Sequence, residues 1–177
     1  MSHYEEKYHF YWSGPFSQWS HSQFVHSEQQ FQTAEQAMMY EKAVLFGDHD
    51  IAAQILSEGD PGRQKALGRR VRGFDETHWD KNKVRIVTEI NRSKFGQNKG
   101  LRRKLFHTIP LQLVEASPVD TIWGIGLDAA DAHQTPPELW PGQNLLGKIL
   151  TQVRKELVET YPEEAQACAP NTTEENR

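Results

Sequence analysis

Glu35 and Lys42 stand seven residues apart in a stretch, Thr33 to Phe46, that contains neither glycine nor proline. On a helix that spacing is two turns, so both side chains project from nearly the same face, about 10 Å apart along the axis. Met38 and Met39 lie between them. An amine beside buried thioethers loses hydration, which favours its neutral, nucleophilic form. A carboxylate two turns away can contact a sugar or shuttle its protons. The separation disfavours a direct ion pair but leaves room for a ribose. The same pattern also fits a plain amphipathic helix, with the methionines in the core and the charges at its surface ends.

A second chemistry-bearing stretch is residues 115–126, which holds Glu115, Pro118, Asp120, Trp123, Gly124 and Gly126. Pro118 fixes one backbone angle and pushes Ser117 towards extended geometry. Glycines at 124 and 126 allow a close backbone approach or a positive φ, and Trp123 offers a flat apolar face with one donor. Such a loop suits a ligand clamp; the alternative is a structural loop anchored by a buried tryptophan. Of its two acids, Asp120 is nearer to Trp123 and is placed at the ligand, while Glu115 is read as bracing the strand end. Two further anion-binding candidates are Arg69, in a Leu-Gly-Arg-Arg run, and the Asn144–Gly147 helix start. Exposed arginine and a simple N-cap explain those two equally well.

These groups need scaffolding, and the pattern of the chain supplies it. Aromatics at Tyr8–Trp12 read as a first strand, and Phe24–His26 with Gln30–Phe31 as short hairpin strands. Thr33, with Gln36 three residues on, has the capping-box pattern. Helices are expected over 34–46, 48–56, 63–70, 77–95, 101–107 and from 144 or 145 onward, with a strand at 111–114. Val84, Val87, Ile90 and Phe95 form the apolar stripe of the longest helix. Residues 128–143, with three prolines, read as irregular connection. The reading is an α+β fold, a helix-rich single domain over residues 1–161, followed by a disordered acidic tail at 162–177.

Bulk properties narrow the function classes. The chain of 177 residues suits one domain. Its single cysteine, Cys168, allows neither a disulfide framework nor a zinc-finger spacing. The first residues are too polar for a signal peptide and no apolar run approaches a membrane span, so a cytoplasmic protein with no membrane association is expected. Residues 61–104 carry 14 Lys and Arg against 4 Asp and Glu. That block can attract nucleic acid or coat a solvated helix face. Walker, dinucleotide-binding and nucleophile-elbow motifs are absent, and the eight histidines show no metal-binding spacing.

Taken together the motifs resemble the YbiA-like family, also called NADAR. The pieces that carry the resemblance are Phe10-Tyr11, Phe16-Ser17, the Thr33–Ala43 segment, Leu67-Gly68-Arg69, Trp79, Lys94-Phe95, the Glu115–Leu127 segment and Asn144–Gly147. They fall in family order over about residues 8–158. Ala37 stands where the family more often has an aromatic. The resemblance implies cleavage of N-glycosidic bonds between ribose and a base. Its substrates would be guanine carrying ADP-ribose in nucleic acid such as DNA, or early riboflavin-synthesis intermediates. A non-catalytic module binding ADP-ribose or NAD is the alternative class. It further implies Glu35, Lys42 and Asp120 as catalytic residues, with Ser17, Arg69, Trp123, Gly124, Gly126, Asn144 and Gly147 binding substrate. No cofactor and no metal are expected, and no protein partner is indicated.

Overall fold

The computed structural model describes residues 7–169. The polar N-terminus at 1–6 and the tail residues 170–177 lie outside the described residues. Among the described residues two small sheets and eight α-helices make an α+β domain. The first sheet pairs β1 (Tyr8–Tyr11) with β4 (Gln112–Glu115) in parallel, with Tyr11 opposite Glu115. Parallel pairing demands a crossover, and here the second sheet and five of the eight described α-helices lie within it. The second sheet is a hairpin of β2 (Phe24–His26) and β3 (Gln29–Phe31). Its turn, Ser27-Glu28, has both residues at positive φ, the geometry that matches strand twist even though glycine is absent.

Helix α1 (Ala34–Leu45) starts at Thr33, whose Oγ1 accepts from the Gln36 N–H. The capping box is only half formed, because the Gln36 side chain turns elsewhere. Its Oε1 accepts from Gln32 N–H, and its Nε2 donates to the carbonyls of Ile55 and Glu58. That buried amide fixes α1 against α2 (His49–Leu56) and the start of α3 (Pro61–Gly68). Asp48 and Asp60 cap these two helices. Asp48 also takes a forked contact from Arg72, which holds its carboxyl well below the usual carboxylate range.

Helix α4 (Glu76–Gln97) is the central rod, contacting α1, β2 and α7 (Leu145–Thr160). Val87, Ile90 and Phe95 are fully buried on it, but Val84 is exposed and leaves the expected stripe. Helix α5 (Lys99–Phe106) adds Leu105 and Phe106, and α7 contributes Leu146, Leu150 and Val153. Each such side chain contributes about 1.5–3 kcal/mol by burial. Leu150→Ala would lose about 2–5 kcal/mol because the void cannot fully collapse.

Two expectations are corrected at the C-terminal side. The 128–143 connection contains a helix, α6 (Ala129–Gln134), capped by Asp128, and a 3-10 turn at Pro137–Leu139. Residues 162–168 of the expected disordered tail form α8 (Pro162–Cys168), which packs on α5 and α7 and buries Ala165 and Cys168. Two apolar side chains one turn apart are enough when Arg102 reaches Glu164 and covers the Tyr161 ring. Among the described residues no helix is long and apolar enough to cross a membrane.

Candidate active site

A cavity of about 710 Å³ opens between α1, the 12–20 loop and the 115–123 loop. Glu35, Met38, Met39 and Lys42 all line it, so the helical face read from the sequence is one wall. Glu35 is 3% exposed and its Oε1 has no hydrogen-bond partner. Burial raises its pKa to about 7, partly offset by Lys65, the Trp19 side chain and Arg69, while Asp120 pushes in the same direction as burial. Lys42 is half-buried, and its Nζ sits 4.3 Å from the Phe74 ring centroid. Burial lowers its pKa first and the nearby Arg69 charge second, with Glu35 opposing. A lysine desolvated in this way holds more neutral amine than a freely solvated one.

The opposite wall is the opening segment of the 115–126 stretch. Glu115, Ser117, Val119, Asp120 and Trp123 line the cavity. Asp120 Oδ1 accepts from the N–H groups of Ile122 and Trp123, making an Asx turn that sets the tryptophan. Glu115 corrects the sequence reading: it faces the cavity with Oε2 buried and unpartnered, and burial, Asp120 and Glu35 raise its pKa to about 7. Tyr11, opposite it in the ribbon, has a buried hydroxyl without a partner, and burial and the Glu115 charge hold that phenol protonated.

The third wall is basic and aromatic. Lys65 and Arg69, four residues apart, reach the cavity from α3 and its C-cap, and Trp12, Trp19 and Trp79 join Trp123 around it. Lys65 was missed by the sequence reading, although its four-residue spacing from Arg69 was a usable signal. Trp12, expected in the first strand, lies beyond its end at Tyr11, and Trp12 and Trp19 are 55% and 48% exposed. Ser17 lines the cavity, but its Oγ accepts from Trp19 N–H and its carbonyl from Lys94 Nζ.

Four expected binding residues do not line this cavity. Asn144 is buried, and its side-chain amide joins β4 by accepting from Glu115 N–H and donating to the Leu113 carbonyl. A Cβ at Gly147 would overlap that same carbonyl oxygen and the Asn144 amide. At Gly124 a Cβ would lie 2.9 Å from the Glu115 oxygen, and Gly126, at φ +73°, packs on Pro141 and Thr121. These glycines permit loop and helix packing rather than ligand approach. Ala37 is also fully buried in the core and does not line the cavity. Of the basic block, Arg72, Lys83, Arg85, Arg92 and Arg102 are held in ion pairs, and Lys94 is buried.

Residues 5–158 match the family model described as the NADAR domain. The chain belongs to the NADAR family. Its relatives include an N-glycosidase of Acanthamoeba polyphaga mimivirus, 47% identical over 146 residues, covering 80% of this chain and 86% of that protein. The protein irg-1 of Caenorhabditis elegans is 46% identical over 129 residues, 72% of this chain and 61% of its own length. A riboflavin biosynthesis protein of Vibrio vulnificus is 32% identical over 123 residues, 70% of this chain but 30% of that longer protein. The fold matches the solution structure of the Escherichia coli protein YbiA with a TM-score of 0.73 at 22% identity, covering 95% of this chain and 92% of that one. In this NADAR domain the cavity therefore sits on a shared YbiA-like framework.

Proposed function

We propose that this NADAR domain is an N-glycosidase that cleaves the bond between a ribose and a base, with guanine carrying ADP-ribose in nucleic acid as its substrate. The observation that carries the reading is the convergence of Glu35 and Lys42 on one tryptophan-lined cavity with Lys65 and Arg69 at its side. The ribose lies between Glu35 and Lys42, and Lys65 and Arg69 bind phosphate oxygens. Exposed Trp12 and Trp19 give stacking faces for bases. The neutral Lys42 amine attacks the anomeric carbon while the carbon–nitrogen bond breaks and its electron pair leaves with the base. Ring opening gives an imine, and water adds to it, returning the amine and releasing the sugar. The Glu35 carboxylate stabilises the cationic sugar and takes the proton from water. Asp120 orders the turn under Trp123 and offers negative charge at the sugar.

The identity of 47% to a protein named an N-glycosidase supports the reaction class. A second substrate, the early riboflavin intermediates, is favoured by the relative named for riboflavin biosynthesis. Arg72, Lys83, Arg85, Arg92 and Arg102 of the basic block are engaged in ion pairs, while Lys65 and Arg69 line the cavity, so phosphate recognition falls to these two, which serves either substrate. Incubation with an ADP-ribosylated guanine oligonucleotide and, separately, with the riboflavin intermediates tests the choice by free base and sugar released. Release from the oligonucleotide alone supports the first reading; release from the intermediates alone replaces it with the second.

A further inference from the structure

We propose that Glu115 is the general acid that protonates the departing base, a role distinct from that of Glu35 at the sugar. The inference rests on the N-glycosidase reading. Its ground is the placement of Glu115. It is the last residue of β4, with its N–H held by Asn144 Oδ1 at 2.9 Å and its carbonyl by Ile125 N–H at 3.0 Å. The side chain therefore leaves a backbone fixed on both sides and enters the cavity with Oε2 buried and unpartnered. A carboxyl oxygen that meets no donor favours the protonated form, a condition that Glu35 Oε1 shares.

The neighbours divide the two glutamates. Beyond burial, Glu35 faces the cations Lys65 and Arg69 and the Trp19 side chain, which favour its carboxylate, with Asp120 opposing. Glu115 faces the charges of Asp120 and Glu35, which favour its acid form, with Lys65 alone opposing. Tyr11 stands beside it as a neutral phenol. Burial raises both carboxyls to about 7, and in the proposed cycle Glu35, with the two cations beside it, is the ionised member of the pair. Two carboxyls with environments pushed apart in this way supply one acid and one base. The Glu115 proton passes to the base nitrogen as the glycosidic bond breaks, leaving the Glu115 carboxylate. The proton that Glu35 takes from the water hydrolysing the imine is passed on to Glu115, which returns both carboxyls to their starting states, so the cycle closes without a further reactant.

The test compares wild type with Glu115→Gln on two ribosides, one with guanine and one with 7-methylguanine, whose cationic ring departs neutral without an added proton. On guanine the variant should lose about 100-fold or more in kcat with little change in KM. On 7-methylguanine the loss should shrink to a few-fold, and the alkaline fall of the wild-type pH profile should vanish in the variant. Glu115→Asp, which keeps a proton donor, should recover part of the guanine rate, and thermal melts establish that each variant is folded. Undiminished guanine cleavage by Glu115→Gln, or equal loss on both bases, overturns the assignment. A wild-type protein that releases no base from any ribosyl substrate overturns the N-glycosidase reading instead.

Discussion

Lys94 Nζ donates to the Ser17 carbonyl over 3.0 Å, from a side chain with no exposed surface. The central helix is thereby joined to the loop that forms one wall of the cavity. Asn91, one turn earlier, donates to Gln18 Oε1 in the same loop. Burial alone pulls the Lys94 pKa down to about 7, so near neutrality much of this contact is made by a neutral amine. Lys94→Met should leave the domain folded but let the 12–20 loop shift. A KM rise of about tenfold on any ribosyl substrate is expected, since misplacement of about 1 Å is costly. Unchanged kinetics with an unchanged melting curve would remove Lys94 from the account.

Glu35→Gln should trade activity for stability, and the pH at which it does so is fixed by sign. The Glu35 carboxyl titrates near 7 in the folded chain against about 4.5 unfolded. Between those values the folded state binds the extra proton, so its stability falls as pH rises and levels off above about 7. The penalty is fully present at pH 8 and gone below about 4.5. Glu35→Gln should therefore be more stable than wild type at pH 8, by about 1–3 kcal/mol, with the gain gone at pH 4. Denaturant titrations at both pH values measure this, and a variant equally destabilised at both would contradict it.

Lys42 is expected to form the covalent intermediate. Borohydride added during turnover should trap a substrate-dependent adduct at Lys42, seen as a mass increase on its peptide. Lys42→Ala should lose both adduct and activity by at least about 100-fold. An active Lys42→Ala without adduct replaces the imine route with water activated by a carboxylate.

Gly147→Ala separates packing from binding. A Cβ there meets the Leu113 carbonyl and the Asn144 amide, which are backbone and buried side chain with little freedom to move. Destabilisation of about 1–3 kcal/mol is expected, with normal KM at temperatures where the variant is folded. A raised KM in a fully stable Gly147→Ala would return the residue to the binding site.

Helix starts were legible where cap and apolar spacing are local: Thr33 and Asp48 cap starts that the structure places within one residue, whereas Asn144 precedes its helix without capping it. The Glu35–Lys42 face was legible for the same reason. The role of Glu115 was not, because its direction depends on parallel pairing with Tyr11, about a hundred residues away in sequence. Asn144 and the loop glycines misled because chemistry that suits an anion also suits an internal joint; only the three-dimensional neighbours, the Leu113 carbonyl and the Glu115 N–H, decide between them. Helix α8 was hidden because its support comes from Arg102 and the α5 and α7 surfaces rather than from its own sequence.

The central claim is that this cavity breaks a ribosyl–base bond and does not merely hold its ligand. Chromatography of free base after a single-turnover incubation with ADP-ribosylated guanine oligonucleotide or riboflavin intermediates, run on wild type and Glu35→Gln, tests it most directly. The account predicts one base released per ribosyl group by the wild type, and release slowed by about 100-fold or more in the variant with binding retained. Intact substrate bound equally by both proteins, with no base released by either, would contradict it.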